Sequence, residues 1–329
     1  MGYVTINNSH KFSRSNNGFQ ISPRLQELMV YAGQMDSYEN SHEVIKEFTN
    51  VEVSSTQVYR VADLYGSKVA ESLDNGRLLE PVKKEEVLYA QADGSMILTR
   101  DKGWSEVKLG RIFKSSHCIH AQGKQGWISN SQYLAHLGGH KKFCNQMDGL
   151  LDDFGPLKER LVFITDGAAW LKNWIEDSFP AAVSILDFYH AAEHLHEFSS
   201  QFFKDKEQEQ RWTQQQRELL LESKTTEVIE NIIGLSGRKN KAAGKLVAYY
   251  QGNLHRMDYK RYQQIGSGLI GSGAIESAHR TVIQKRMKQS GQRWSTKGAR
   301  NMINLRVVRK NQQWNKIIAL TKTDFSKAA

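Results

Sequence analysis

Residues 161–197 read LVFITDGAAWLKNWIEDSFPAAVSILDFYHAAEHLHE and contain two apolar runs, each ending on an aspartate and followed by a helix-like segment. The first run, 161–164, is too short for a helix and suits a strand buried on both faces. Asp166 follows this run, and Asp187 follows the second run, 181–186. Open α/β sheets carry their functional side chains at the carboxyl ends of the strands. The stretch therefore predicts an α/β fold with acidic side chains at one edge of its sheet.

The composition is that of a globular chain. Its 329 residues are 39% hydrophobic, which is adequate for a buried core. No apolar run approaches the roughly 18 residues of a membrane span, and the N-terminal residues are too polar for a signal peptide. We therefore expect a cytoplasmic protein without a membrane partner. Two cysteines, Cys118 and Cys144, are too few for a disulfide scaffold or a cysteine-based zinc module.

The net charge of +10 is concentrated near the C-terminus. Residues 280–329 contain 13 Lys or Arg and a single acid, Asp324, which gives this segment a charge of +12. A basic segment that also contains tryptophans favours a polyanion such as DNA or RNA, although a solvated basic helix has the same pattern. The candidate DNA-binding residues are Arg280, Lys285, Arg286, Lys288, Arg293 and Trp294.

The N-terminal part predicts a flexible segment followed by helices. Residues 1–20 are polar, and we expect them to be mobile. Residues 21–80 contain three helix candidates; the first starts at Ser22-Pro23, and Ser54 or Ser55 can cap the third. The last two candidates resemble a helix-turn-helix module, in which the helix that starts at Ser54 or Ser55 would enter a DNA major groove. Helical trios of this kind are also common in proteins that do not bind DNA.

Residues 81–196 predict the first part of the core. Strand-like residues alternate around Asp93-Gly94, which predicts a β-hairpin with a second strand in 104–120 and leaves Asp93 as either a turn residue or a functional acid. Between 131 and 154, apolar residues recur at three- and four-residue steps. This spacing predicts an amphipathic helix in two pieces, interrupted at Gly138-Gly139.

The remaining chain predicts a helical insertion and a final core helix. Residues 197–265 are charged and helical in pattern. Residues 266–329 begin with a glycine-rich loop that turns helical at about Ala274, before the basic segment. Ser272 is a candidate cap for this helix, and Glu276 lies in its first turn.

Three acids suggest a metal-dependent site. Asp93, Asp166 and Glu276 converge if the strands that carry Asp93 and Asp166 are neighbours. Three carboxylates suit Mg²⁺ or Mn²⁺ better than zinc. Two such ions about 3.5–4 Å apart can activate the attacking oxygen and stabilise the leaving oxygen in phosphodiester chemistry.

The motifs around these acids resemble a known family. ADG at 92–94, TDGAAW at 165–170, FPAAVSILDFYHAAEHL at 179–195 and GSGAIESAHRTVIQKRMKQSGQRW at 271–294 are similar to bacterial insertion-sequence transposases of the DDE superfamily, ISKra branch. The resemblance covers about residues 20–315, and its most specific motifs are TDGAAW, LDFYH and GAIES.

The resemblance implies an RNase H-like fold, with a mixed sheet flanked by helices and a helical insertion before the helix that bears the last acid. It implies a metal-binding catalytic triad of Asp93, Asp166 and Glu276, with Asp187 and His190 as supporting residues. The implied partners are terminal inverted repeats and target DNA, bound by a homo-oligomer associated with the nucleoid. The implied reaction is Mg²⁺-dependent strand cleavage and strand transfer.

Two alternatives remain open from the sequence. His190-Ala-Ala-Glu193-His194 fits the H-x-x-E-H pattern of a zinc metalloprotease, in which Glu276 would be the third ligand. The second alternative is a catalytically inactive DNA-binding protein derived from a transposase.

Overall fold

The computed structural model of the protein describes residues 17–71, 76–120, 126–236 and 240–323. Most of the segment expected to be flexible, residues 1–16, lies outside these ranges. Within them, no helix has both the length and the apolar character needed to cross a membrane.

The β structure consists of a five-stranded mixed sheet and a two-stranded ribbon. Its strands are β1 (Leu88–Thr99), β2 (Gly103–Lys114), β3 (Cys118–Ile119), β4 (Trp127–Ile128), β5 (Gln132–Leu137), β6 (Leu161–Thr165) and β7 (Val183–Leu186). The order in the large sheet is β5-β2-β1-β6-β7. β2 is antiparallel to both β1 and β5, whereas β1, β6 and β7 run parallel to one another. The fold is therefore α/β, as the strand-acid-helix pattern predicted.

Helices cover both faces of this sheet. They are α1 (Pro23–Met35), α2 (Tyr38–Thr49), α3 (Ser55–Glu71), α4 (His140–Asp152), α5 (Ala169–Ser178), α6 (Phe188–Ser199), α7 (Lys206–Leu221), α8 (Thr225–Ser236), α9 (Lys241–Asn253), α10 (Tyr259–Tyr262), α11 (Gly273–Ala278), α12 (Lys285–Met287), α13 (Thr296–Lys310) and α14 (Trp314–Lys322). Between α11 and α12 the chain forms a π-helical segment, His279–Gln284. Three helices, α1 to α3, lie in the N-terminal region where the sequence predicted them, and α7 to α9 lie in the helical insertion predicted at 197–265.

Alternation along β1 separates the two faces of the core. Leu88 and Ala90 pack with α4 and α5, while Tyr89 packs on the opposite face with the insertion helices. Farther along the second face, Ile97 packs with α11 to α13. Because side chains alternate along a strand, Asp93 lies on the same face as Tyr89 and Ile97. That face is the one covered by the insertion and by α11.

The predicted hairpin is confirmed by the antiparallel pair β1 and β2, but the interpretation of Asp93 as its turn residue is wrong. β1 continues through both residues, with Asp93 opposite Leu109 and Gly94 opposite Lys108, and the chain reverses at 100–102. The buried Ile97 side chain keeps the second half of the strand extended, because it packs against α11 to α13. Asp93 is therefore a residue of a strand interior and not of a turn.

The first piece of the helix predicted between 131 and 154 is also wrong. Gln132–Leu137 is strand β5, which pairs with β2 along Val107–Ile112, and only the second piece is helical, as α4. Apolar spacing alone did not distinguish the two structures. Pairing with the edge of β2 decides for the strand, since strand formation depends strongly on tertiary context.

The basic C-terminal segment is packed into the fold. α13 is buried along most of its length, and its residue Leu305 shares a core with Val308, with Ile317 of α14 and with the helices α1 to α3. The N-terminal helices and the C-terminal segment thus form one packed unit, whereas the sequence suggested separate regions. Gly66 of α3 lies so close to α13 that an added Cβ would be 2.5 Å from the Asn301 carbonyl oxygen.

Two of the predicted DNA-binding residues are inside this unit. The Arg286 side chain has no exposed surface, and its Nε donates to the carbonyl oxygen of Gly33 at 2.8 Å. Its guanidinium also lies over the rings of Tyr38 and Trp294, and Trp294 itself is buried. The carbonyls at the end of α1 need hydrogen-bond donors, and Arg286 supplies one. The prediction that Arg286 and Trp294 contact DNA is therefore wrong for this structure.

Candidate functional site

An acidic cleft of about 530 Å³ opens at the carboxyl edge of the parallel strands. The residues that line it come from β1, from the ends of β6 and β7, and from α6 and α11. They are Ala92, Asp93, Asp166, Asp187, Tyr189, His190, Glu193, Ser272, Ile275 and Glu276. The structure thus brings together all five residues that the sequence assigned to the catalytic site.

The register of the sheet aligns three aspartates. β1 and β6 pair from Leu88 opposite Leu161 to Ala90 opposite Phe163, and Asp93 and Asp166 each come three residues after this last pair. β6 and β7 pair up to Thr165 opposite Leu186, so the next residues, Asp166 and Asp187, are also level. The prediction that Asp166 lies at a carboxyl end of the sheet, next to the strand of Asp93, is confirmed.

Glu276 reaches the cleft because the loop before α11 is attached to the sheet. The Gln91 side chain donates to the Gly271 carbonyl oxygen at 3.2 Å and accepts from the Ile275 amide at 2.9 Å. The buried Arg111 donates from Nη1 to the Ala274 carbonyl oxygen at 2.7 Å. These bonds fix the first turn of α11 over β1 and β2.

Asp187 is held by hydrogen bonds and is only 3% exposed. Its Oδ1 accepts from the Tyr189 amide at 2.8 Å and so caps α6, while its Oδ2 accepts from the Ser272 hydroxyl. Ser272 Oγ also lies 3.4 Å from Glu276 Oε1. Ser272 was expected to cap α11, but its hydroxyl makes no cap hydrogen bond and connects Asp187 to Glu276 instead.

The surroundings of Asp93 oppose its ionisation. Burial raises its pKa to about 6, and the negative charges of Asp166, Glu106 and Glu276 act in the same direction. The hydrogen bond from the Gly94 amide, at 2.6 Å, opposes this rise. Acids that repel one another in a cleft bind a cation favourably, because the cation removes the repulsion.

His279 lies beside Asp93 and was missed in the sequence. Its ring is buried, its Nε2 is 3.6 Å from Asp93 Oδ2, and neither ring nitrogen has a hydrogen-bond partner within the described ranges. Burial lowers the pKa of His279 to about 4, so the ring is neutral at pH 7. The spacing Glu276-x-x-His279 on one helix was the available signal, because residues three apart share a face.

His190 and His194 form a pair on α6. Their Nε2 atoms are 3.2 Å apart, and their Nδ1 atoms face Glu193 at 3.6 Å and Glu197 at 3.3 Å. Only His190 lines the acidic cleft; His194 lines a neighbouring cavity between α6 and α9. Among the described residues, no third His, Cys, Asp or Glu side chain joins this pair in a group that could hold a metal ion.

The acid triad is likewise not arranged as a closed metal site. In the described ranges, no three His, Cys, Asp or Glu side chains are close enough together to hold a metal ion. The Glu276 side chain is 55% exposed, and its carboxylate lies 4.0 Å from the Arg280 guanidinium. Asp166 has one oxygen engaged, since Oδ1 accepts from the Ala168 amide at 3.0 Å.

The other candidate DNA-binding residues are on the surface. Arg280, Lys285, Lys288 and Arg293 are exposed. Arg280 is one turn after Glu276, so its guanidinium lies at the rim of the acidic cleft.

Comparison with protein families places this sequence. The sequence matches an uncharacterised protein family, UPF0236, over residues 12–322. None of the curated proteins matches it. Because the matched region is nearly the whole chain, the protein belongs to the uncharacterised protein family UPF0236.

Proposed function

We propose that this protein is a DDE-type DNA transposase, which cuts the ends of an insertion sequence and joins them to target DNA. One observation carries the proposal: Asp93, Asp166 and Glu276 come from three separate elements and line one cleft. Carboxylates gathered in this way suit phosphodiester chemistry assisted by divalent cations. The motifs TDGAAW and GAIES, which resemble those of DDE transposases, contain two of these acids, and a third such motif, LDFYH, contains Asp187 and His190.

We also propose that the fold is RNase H-like. The mixed sheet has the first acid inside β1 and the second directly after β6. The helical insertion α7 to α9 separates this part from α11, which bears Glu276. This order of acids, insertion and last helix is the one that the resemblance implies.

The donors present fit Mg²⁺ or Mn²⁺. They are carboxylate oxygens, which hard divalent cations prefer. The raised pKa of Asp93, caused by burial and then by the neighbouring negative charges, is a sign of a cleft that lacks a counter-charge. When bound, the cations would supply the charge that stabilises the attacking and leaving oxygens of the phosphodiester. Magnesium keeps several waters, so few protein ligands suffice.

The chain's own residues would bind and orient the substrate. Asp93, Asp166 and Glu276 would hold the cations, and Asp187 with Ser272 would fix Glu276 through the hydrogen bonds described above. Water would first hydrolyse a phosphodiester at the element end. The freed 3′-hydroxyl would then attack target DNA and release a target 3′-hydroxyl in exchange. Holding both reactants in line supplies much of the rate.

Exposed cations and α3 are the proposed DNA contacts. Arg280, Lys285, Lys288 and Arg293 would bind phosphates near the cleft. One face of the first turns of α3 is exposed, including Tyr59, whereas Val58 is buried, and the second half of the helix packs on α13 through Gly66. A recognition helix contacts bases with its N-terminal residues.

Because an insertion sequence has two ends, we propose that at least two copies of the protein act together on DNA.

Cleavage of DNA that carries the element's own ends tests this function. We expect Mg²⁺-dependent cutting by the parent protein, and complete loss of cutting with retained DNA binding in Asp166→Asn and Glu276→Gln. Glu193→Gln is the matched control, because Glu193 lines the same cleft but is not a triad residue. We expect this control to cut normally.

Two outcomes would overturn the assignment. Unchanged cutting by Asp166→Asn would exclude the triad. If the parent protein retards the DNA in a gel but does not cut it with any divalent metal ion, it is a DNA-binding protein, which is the second alternative that the sequence left open.

A further inference from the structure

The helical insertion touches the turn that carries Asp166. Tyr249 of α9 packs directly on Gly167, so closely that an added Cβ at Gly167 would overlap the tyrosine ring. The neighbouring Tyr250 hydroxyl donates to the Ala191 carbonyl oxygen of α6 at 2.9 Å. Lys172 of α5 donates from Nζ to the Gly252 carbonyl oxygen at 2.8 Å. The end of α9 is therefore attached to both helices that start at the acidic edge.

Arg256, in the short turn after α9, is attached to the strands themselves. Its Nη2 donates to Thr165 Oγ1 at 2.6 Å and to the Ile185 carbonyl oxygen at 3.3 Å. Its Nε donates to Ser184 Oγ at 3.0 Å, and its Nη1 to Asn253 Oδ1 at 3.1 Å. One guanidinium thus joins the ends of β6 and β7 directly before Asp166 and Asp187.

The burial of this guanidinium is costly and needs an explanation. Arg256 has no exposed surface, and burial lowers its pKa. An apolar side chain of similar volume would pack at the same place without that cost. An apolar side chain could not hold polar groups of two strands at fixed angles. Arginine can, because its N–H donors lie in one rigid plane.

We propose that Arg256 and Tyr249 are positioning residues for Asp166, so that the insertion is a structural part of the acidic site. The proposal rests on the proposed function only for the role of Asp166 as a cation ligand. Arg256 fixes the residue before Asp166, and Tyr249 covers the residue after it. Asp166 is therefore held from both sides by the insertion.

The amide of Ala168 reports the position of Asp166, because it donates to Asp166 Oδ1 at 3.0 Å. We would measure hydrogen exchange of this amide in the full chain without metal. In Arg256→Met we expect its exchange to rise about tenfold or more at a pH and temperature where the variant stays folded. If Arg256→Met does not fold, Arg256→Lys, which keeps the charge but loses the fork, should show a smaller rise.

Arg306→Met is the matched control for loss of a buried arginine. Arg306 is 4% exposed, and it donates to the carbonyl oxygens of Val282, Gln34 and Thr281, which do not line the acidic cleft. Arg306→Met should lower the melting temperature but leave the Ala168 amide protected from hydrogen exchange. Unchanged Ala168 exchange in the Arg256 variants, or an equal rise in Arg306→Met, would overturn the proposal.

Tyr249 gives a second test. Its hydroxyl is buried without a hydrogen-bond partner within the described ranges, so its ring carries the contact with Gly167. Tyr249→Phe should leave Ala168 exchange unchanged, and Tyr249→Ala should raise it. Equal exchange in the two variants would contradict the role of the ring.

Mn²⁺ binding distinguishes this proposal from the proposed transposase function. Binding is measured by the loss of the electron paramagnetic resonance signal of free Mn²⁺. We expect Arg256→Met to weaken Mn²⁺ binding about tenfold or more, as removal of groups that orient metal ligands commonly does. If the parent binds no Mn²⁺, the proposed function fails, while the exchange of the Ala168 amide still decides the positioning role.

Discussion

Replacing Asp93 with asparagine should stabilise the metal-free protein at pH 8 and abolish DNA cleavage. The acid is unfavourable in the folded state because burial, and then the charges of Asp166, Glu106 and Glu276, raise its pKa from 3.8 to about 6. Asparagine has nearly the same shape, keeps an oxygen for the Gly94 amide and carries no charge. The variant therefore removes the repulsion and also one of the proposed cation ligands.

The magnitude follows from the pKa shift. One pKa unit corresponds to about 1.4 kcal/mol, so the full shift sets a ceiling of about 3 kcal/mol. The side chain is 39% exposed, and solvent screens its interactions, which reduces the expected gain to about 1 kcal/mol. For a chain of this size such a gain raises the melting temperature by about 2 °C.

The sign depends on pH. Below about pH 4 the carboxyl is protonated in the folded and unfolded states, so asparagine brings no electrostatic gain. Between about pH 4 and 6 the unfolded state loses its proton first, and the penalty on the folded protein grows. Above about pH 6 the penalty is complete. The difference in melting temperature between variant and parent should therefore be small at pH 4 and reach its maximum at pH 8.

Thermal unfolding in a chelating buffer at pH 4, 6 and 8 measures this difference. Asp101→Asn is the opposite control, because hydrogen bonds from Thr296 lower the pKa of Asp101, and its loss should destabilise the protein at pH 8. Added Mn²⁺ should raise the melting temperature of the parent more than that of Asp93→Asn. A variant that melts at or below the parent at pH 8 would refute the electrostatic account.

Three further predictions concern packing and DNA binding. Gly66→Ala should lower the free energy of unfolding by about 1–2 kcal/mol in denaturant, because overpacking against the α13 backbone exceeds the gain in helix propensity. Gly149→Ala is the control and should stabilise the protein, because the added Cβ meets open space. Equal effects of the two substitutions would contradict the close contact between α3 and α13. Lys288→Gln with Arg293→Gln should reduce the salt dependence of binding to duplex DNA by about 0.9 per lost phosphate contact, and an unchanged slope would exclude these residues from the interface. Arg286→Gln should lower the melting temperature and leave that slope unchanged, since its side chain is buried; a reduced slope would show that it reaches DNA.

The sequence alone determined the elements whose signals are local. The run 161–164 is apolar, as expected for β6, which is buried along its whole length between two parallel strands. Ser22 caps α1 with Pro23 at its start, and Ser54 accepts from the Gln57 amide at the start of α3. The positions of Asp93, Asp166 and Glu276 at predicted ends of elements, together with the motifs around them, selected these acids as a candidate site.

Only the tertiary structure decided how these elements meet. β5 is a strand because β2 offers an unpaired edge, and Asp93 lies inside β1 because Ile97 beyond it is buried on α11 to α13. Glu276 reaches the cleft through side chains of distant strands, Gln91 and Arg111. The sequence shows the type of a side chain but not which carbonyl oxygens will accept its hydrogen bonds. For this reason the sequence predicted a DNA contact for Arg286 and no role for Arg256. Partners brought together over long stretches of chain decide whether a charge faces solvent or the interior.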